Sequence, residues 1–194
     1  IIILLDKNLC KTDGKSTNQP SLTTVRGYLQ ENKRHVFPVC VKSLPIPFSV
    51  EWRRIPRPKY KKNDDEVIVE VSRAVLEEAM VEKFVIILLH ATEFFSLAKD
   101  GKLEDYCKRA TNIHPGKQIT MLVTGIVRWS KVNQKNYEDI DKLEDAIAWV
   151  QFESGLHFHQ SEKNSSAANF IELFSESIAE SLYKFVNLFL FDFY

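Results

Sequence analysis

The chain is short of cysteine, of long apolar runs and of any excess of charge. Its three cysteines, Cys10, Cys40 and Cys107, lie far apart without C-x-x-C spacing. Neither a disulfide scaffold nor a structural zinc site is expected, and a reducing compartment fits. Lys plus Arg and Asp plus Glu both number 26. That balance excludes a histone-like polycation and an acidic tail protein, so any grip on nucleic acid must come from a local patch. The longest apolar run, Phe84-Val-Ile-Ile-Leu-Leu89, is six residues, against the roughly 20 of a membrane-spanning helix. Six glycines and seven prolines exclude collagen-like and low-complexity sequence. Gly101, Gly116 and Gly125 stand alone, so there is no phosphate-binding loop or dinucleotide fingerprint. The chain opens at Ile1 with no basic-then-apolar leader, as expected of part of a longer protein.

What is there reads as an α/β domain. Ile1-Ile-Ile-Leu-Leu5, Val36–Val41, Phe48–Trp52, Val67–Val71, Phe84–Leu89, Ile119–Val123 and Leu156–Gln160 carry strand chemistry. Helical spacing predicts helices over Leu22–Lys33, Arg73–Lys83 and Thr92–Asn112, the last broken at Asp100-Gly101. Asp141-Lys-Leu-Glu144 has the form of a capping box opening a helix that Gly155 ends. A final helix starts at Ser165, with Phe170, Phe174, Ile178 and Leu182 every four residues. About six strands alternating with helices predict a central mixed, largely parallel sheet with helices on both faces.

One stretch breaks the composition. Arg53, Arg54, Arg57, Lys59, Lys61 and Lys62 fall within ten residues, interrupted by Pro56 and Pro58 and closed by Asp64-Asp-Glu66. The prolines predict a mobile surface loop over 53–66. Beside Trp52 and Tyr60, its cations suit phosphates and a stacked base; plain solvation, with the acids as neutralisers, suits them equally.

Strand-terminal acids are the next candidates, because α/β sheets gather chemistry at strand ends. Asp6 follows the first strand, Glu51 lies in the third, and the strongest strand runs into His90-Ala-Thr-Glu93. Lone acids there are more often caps and turn formers. His157 and His159 share one strand face, yet no third ligand has a forced position, so no metal site is expected. Cys40 reads as core.

Taken in order, Ile1-Ile-Ile-Leu-Leu-Asp6, Ser49-Val-Glu-Trp-Arg-Arg54, Val85-Ile-Ile-Leu-Leu89 with Glu93-Phe-Phe-Ser-Leu97, Ile140-Asp-Lys-Leu-Glu-Asp-Ala-Ile-Ala-Trp-Val-Gln-Phe152 and Phe174-Ser-Glu-Ser-Ile-Ala-Glu180 resemble the nuclease-like domain of the Eme subunit. That subunit is the non-catalytic partner in the Mus–Eme crossover junction endonuclease, of the XPF-type nuclease superfamily. The likeness spans 1–186. Active members of the superfamily carry Glu-Arg-Lys-x-x-x-Asp after a central strand and a Gly-Asp upstream, whose acids hold a metal ion. Here His90–Leu97 stands in the first place and Ser49-Val50 in the second, and no Glu-Arg-Lys triplet occurs.

The resemblance therefore implies a catalytically degenerate, restriction-endonuclease-like domain with no catalytic residue and no metal of its own. Asp6, Glu51, His90 and Glu93 mark the degenerate active-site region. Mg²⁺ is expected in a Mus-type catalytic partner, which forms the heterodimer. Branched duplex DNA (flaps, forks, nicked Holliday junctions) is the expected ligand in recombination, repair and meiosis, with the nucleus as compartment and no membrane or small-molecule substrate. DNA contacts fall to Arg53, Arg54, Arg57, Lys59, Lys61 and Lys62. Phe170, Ile171, Phe174, Ile178 and Leu182 are candidates for the partner interface. The family's tandem helix-hairpin-helix motifs are not in this sequence, and 187–194 is an atypical aromatic tail. An active metal-dependent nuclease with a degenerate site, and a protein-interaction module without DNA binding, are the alternatives.

Overall fold

In the computed structural model, residues 1–10, 37–55, 60–63, 66–69 and 72–191 are described, with backbone alone at 10, 60–63, 66–69, 73 and 182–191. The helix expected over 22–33 lies outside them, as does the tail beyond 191. The β-branched runs build the centre of the sheet. Strands β1 (Ile2–Asp6), β2 (Val39–Lys42), β3 (Ser49–Arg54), β6 (Met80–His90), β7 (Gln118–Thr124) and β8 (His157–Ser161) pair in the order β2-β1-β3-β6-β7-β8. The β1/β2, β6/β7 and β7/β8 pairs are parallel; β1/β3 and β3/β6 are antiparallel. The expected six-stranded mixed sheet is the one observed.

Alternation divides the strands between two cores. Val85, Ile87 and Leu89 of β6 and Ile119, Met121 and Val123 of β7 face helices α2 (Ala91–Lys99), α3 (Leu103–Ile113) and α5 (Tyr137–Phe152). Ile3, Leu5, Val50, Trp52, Ile86, Leu88 and Leu122 face α6 (Asn164–Phe191). That helix has 28 residues and is thus about 42 Å long. It docks through Ala167, Ala168, Ile171 and Ile178, and the Trp52 indole donates to Ser175 Oγ at 2.7 Å.

Several expectations need correction. The described part of the basic segment is extended: Arg53 and Arg54 end β3, and β4 (Tyr60–Asn63) pairs with β5 (Glu66–Val69) in a two-stranded ribbon. Helix α1 (Arg73–Glu78) is capped by Ser72 and stops early. Residues from Met80 are extended because they pair with the end of β3, Arg53 with Val81 and Arg54 with Met80. Tertiary pairing overrides local helix propensity there. A short helix, α4 (Ile126–Val132), follows Gly125 where only a stop was expected. Helix α5 begins a turn before Asp141: Asn136 is its N-cap, and Glu138 and Asp139 sit in its first turn, where the helix dipole favours acids.

The apolar stripe on the last helix is also rotated. Ile171 is fully buried at 0% exposure and Ile178 nearly so, while Phe170 and Phe174 are half-buried and Leu173 is the exposed one at 65%. Ile171 and Ile178 belong to the chain's own core and are not free for a partner. The side chain of Leu182 lies outside the described residues, and the backbone of 187–191 continues the helix. Replacing Ile171 by Ala should cost about 3 kcal/mol in denaturant-induced unfolding, against under about 0.5 for Leu173→Ala. Equal shifts for the two would put the docked face elsewhere.

Candidate functional site

The parallel strands β6, β7 and β8 end in register at His90, Thr124 and Ser161. This is the strand edge where α/β sheets bind ligands. His90 is the N-cap of α2. Its Nδ1 accepts from Thr92 N–H at 3.3 Å, and Glu93 Oε2 accepts from His90 N–H at 2.9 Å. The two side chains form a capping box, which occupies both. The other ring edge lies on Gly125, whose φ is +77° and whose missing Cβ would fall 2.9 Å from His90 Nε2. Only glycine satisfies both demands. Burial pushes the His90 pKa below its usual value, with Arg128 acting the same way and Glu93 opposing.

Asp6 ends β1 fully buried. Its Oδ1 accepts from Asn8 N–H at 3.0 Å and Phe48 N–H at 3.2 Å, and its Oδ2 from Leu44 N–H at 3.0 Å. Ser49 Oγ donates to the Ile46 carbonyl, and Val50 is fully buried.

Glu51 sits diagonally from Asp6 across β1 and β3, since Leu4 pairs with Glu51. It does not share Asp6's partners. Lys117 Nζ is 3.1 Å from its Oε2, and His114 Nε2 is 3.5 Å from its Oε1. Those two facing atoms, Glu51 Oε1 and His114 Nε2, are buried without a hydrogen bond. Burial and the Lys117 charge push the His114 pKa down, against the pull of Glu51. His114 and Lys117 come from the turn between α3 and β7 and carried no sequence signal. Among the described residues no three His, Cys, Asp or Glu side chains converge as metal ligands.

The basic residues divide. Arg54 Nε is 2.5 Å from Glu82 Oε1, and its Nη2 donates to the Ile178 carbonyl of α6 at 2.7 Å. Arg53 Nη1 donates to the Leu76 carbonyl at 3.2 Å. Both arginines tie the end of β3 to its neighbours, Arg53 to α1 and Arg54 to β6 and α6. Lys61 and Lys62 lie on β4, in register with Ile68 and Val67; Arg57 and Lys59 lie outside the described residues. Arg54 pairs with Met80 at the start of β6, and the capped edge is at the far end of the 11 residues of that strand. At about 3.3 Å per residue that is roughly 33 Å. The two arginines and the capped edge are therefore separate places. His159 stacks on Phe170, with ring centroids 4.3 Å apart.

The ERCC4 domain pattern matches residues 18–174. The chain belongs to the ERCC4 domain family. In fold it is similar to XPF from Aeropyrum pernix, at 15% identity and a TM-score of 0.51, over 89% of this chain and 58% of that one. It is likewise similar to the same protein in complex with DNA, at 15% identity and a TM-score of 0.52, over 92% and 64%. The chain thus spans about three-fifths of those structures. No curated protein sequence matches it. As an ERCC4 domain it has the XPF-type nuclease fold, but among the described residues Asp6, Glu51 and Glu93 do not suit a divalent cation. Asp6 is spent on three backbone N–H groups, Glu93 on a helix cap, and Glu51 on Lys117.

Removing Glu51 would leave the Lys117 ammonium and the buried His114 ring without the carboxylate that faces them. Glu51→Ala should cost about 3 kcal/mol of stability, measured by denaturation. His90 and His114 both titrate below 6.5 when folded. Below pH 6.5 the unfolded chain takes up protons that the folded chain refuses. Stability complete above that pH is therefore lost as pH falls. The melting temperature should drop between pH 7 and 5, and His114→Gln should flatten part of that slope. A melting temperature constant over this range would contradict the lowered pKa of both rings.

Proposed function

We propose that this ERCC4 domain is an Eme-like, non-catalytic subunit of a heterodimeric structure-specific endonuclease acting on branched DNA in the nucleus. The reading rests on one observation. Where the superfamily's acids are expected, this chain has Ser49 and Val50 buried, Phe94 and Phe95 in the core, and His90 and Glu93 capping a helix. A side chain at 0% exposure such as Val50 or Phe94 has no access to a phosphodiester. The chain's part would then be to hold a Mus-type partner and the duplex, with Mg²⁺ bound by the partner's acids. With Ile171 and Ile178 committed to the sheet, the remaining surface for a partner on α6 is its outer side at Leu173, flanked by half-buried Phe170 and Phe174.

Cleavage of a nicked junction tests the reading. The chain alone in Mg²⁺ or Mn²⁺ should leave the substrate intact. Co-purified with a Mus-type subunit, it should raise that subunit's kcat/KM by about tenfold or more. Cutting by the chain alone that Asp6→Asn abolishes would instead make it an active nuclease.

The ribbon is tested by salt. Lys61→Ala with Lys62→Ala should leave the melting temperature unchanged and reduce the log–log salt slope of duplex binding by about 0.9 for each phosphate no longer neutralised. Arg54→Ala should do the reverse and lower stability by about 2 kcal/mol, because Glu82 and the Ile178 carbonyl lose their donor. An unchanged slope in the lysine variant would reduce the ribbon to a solvated surface.

A further inference from the structure

On the face of the sheet opposite α6, a cavity of about 580 Å³ lies between strands β1, β2 and β3 and helix α1. That volume is within the range of small-molecule sites. The sheet side is Leu4, 2% exposed, and Cys40; the helix side is Leu76. Lys42 and Arg53 also line it. Among the described residues neither cation has a salt bridge to a carboxylate: Arg53 spends one N–H on the Leu76 carbonyl, and Lys42 is exposed. Glu77, the one acid in the lining, is already engaged.

Apolar walls facing each other across a gap suit a flat, weakly polar body. Two cations along the same cavity, neither in a salt bridge among the described residues, suit a dianionic phosphate better than a single carboxylate, since Arg presents a fork of donors and Lys a point charge. We propose that this cavity binds a nucleotide, its base between Cys40 and Leu76 above a floor at Leu4 and its phosphate between Lys42 and Arg53. The site is independent of the junction-nuclease reading, because it uses neither the ribbon lysines nor the capped strand edge. The nucleotide is either free or an unpaired residue of a DNA strand, and the two sources are separable by experiment.

Cys40 is a built-in reporter. It is half-buried in the cavity, and burial pushes its thiol pKa up, so its alkylation is slow but measurable. In the full chain, peptide-resolved mass spectrometry follows alkylation of Cys40 with buried Cys107 as internal control. Deoxyadenosine monophosphate at about 1 mM should slow Cys40 alkylation about fivefold and raise the melting temperature. Inorganic phosphate and deoxyadenosine should each do much less. Protection by a single-stranded oligonucleotide at lower concentration than the mononucleotide assigns the source to DNA; the opposite order assigns it to free nucleotide. Lys42→Met, at an exposed position with no side-chain bond among the described residues, should fold normally and lose the protection. No protection in the wild type by either nucleotide source overturns the site, as does equal protection in Lys42→Met. Failure to stimulate a catalytic partner would bear only on the junction-nuclease reading.

Discussion

The carboxylate of Asp6 ties together more of this domain than any other side chain described. It stands at the end of β1, has no access to solvent, and accepts the backbone N–H groups of Asn8, Leu44 and Phe48. Two of them, Leu44 and Phe48, belong to the link between β2 and β3. Phe48 has a left-handed φ of 62°, a conformation that costs a bulky residue about 1 kcal/mol or more. A charge-assisted bond to its N–H offsets that cost. Phe48 is then placed so that its carbonyl accepts from Leu88 N–H at 2.9 Å, which starts the β3/β6 pairing at the right register. A one-residue slip there would turn Val50 and Trp52 out of the α6 core and Glu51 into it.

Glu51 imposes a second constraint on the same strands. It is a charge at 5% exposure in the middle of the sheet, tolerable only because Lys117 and His114 are brought to it by the turn after α3. Such a group adds little net stability but penalises any packing in which its partners are misplaced. Together Asp6 and Glu51 fix how the antiparallel half of the sheet joins the parallel half.

The fold was legible where sequence pattern and tertiary demand agree. Phe84–Leu89 and Ile119–Val123 are apolar on both faces because helices cover both faces. The break at Asp100-Gly101 is where α2 ends and α3 begins, with Gly101 at a φ of +69°. It was illegible where a residue distant in sequence decides. Met80–Lys83 has helical chemistry and is extended because β3 pairs with it. Asp141-Lys-Leu-Glu144 looks like a helix start and lies inside a helix, because Asn136 with its following acids is the better cap. The rotation of the α6 stripe depends on small residues, Ala167, Ala168 and Ser175, which let the helix approach the sheet and which an apolar count overlooks. Of the candidate site, a capping role for a strand-end acid such as Glu93 was visible in the sequence, whereas His90 as the N-cap was not. The partners of Glu51 were not, since nothing local links position 51 to 114 and 117.

On the non-catalytic reading proposed above, the strand edge is more stable without metal-binding acids than with them. Metal-binding carboxylates at a strand edge repel one another until a cation arrives, and so lower the stability of the empty domain. In this ERCC4 domain the same edge carries a buried valine, two core phenylalanines and a self-satisfied capping box. The acids described there are already partnered, and the strand ends are stable as they stand. An acid placed at Val50 would put an unpaired charge into the apolar cluster that holds Ile171 and Ala168, so packing opposes a carboxylate at this position whatever ligands stand elsewhere.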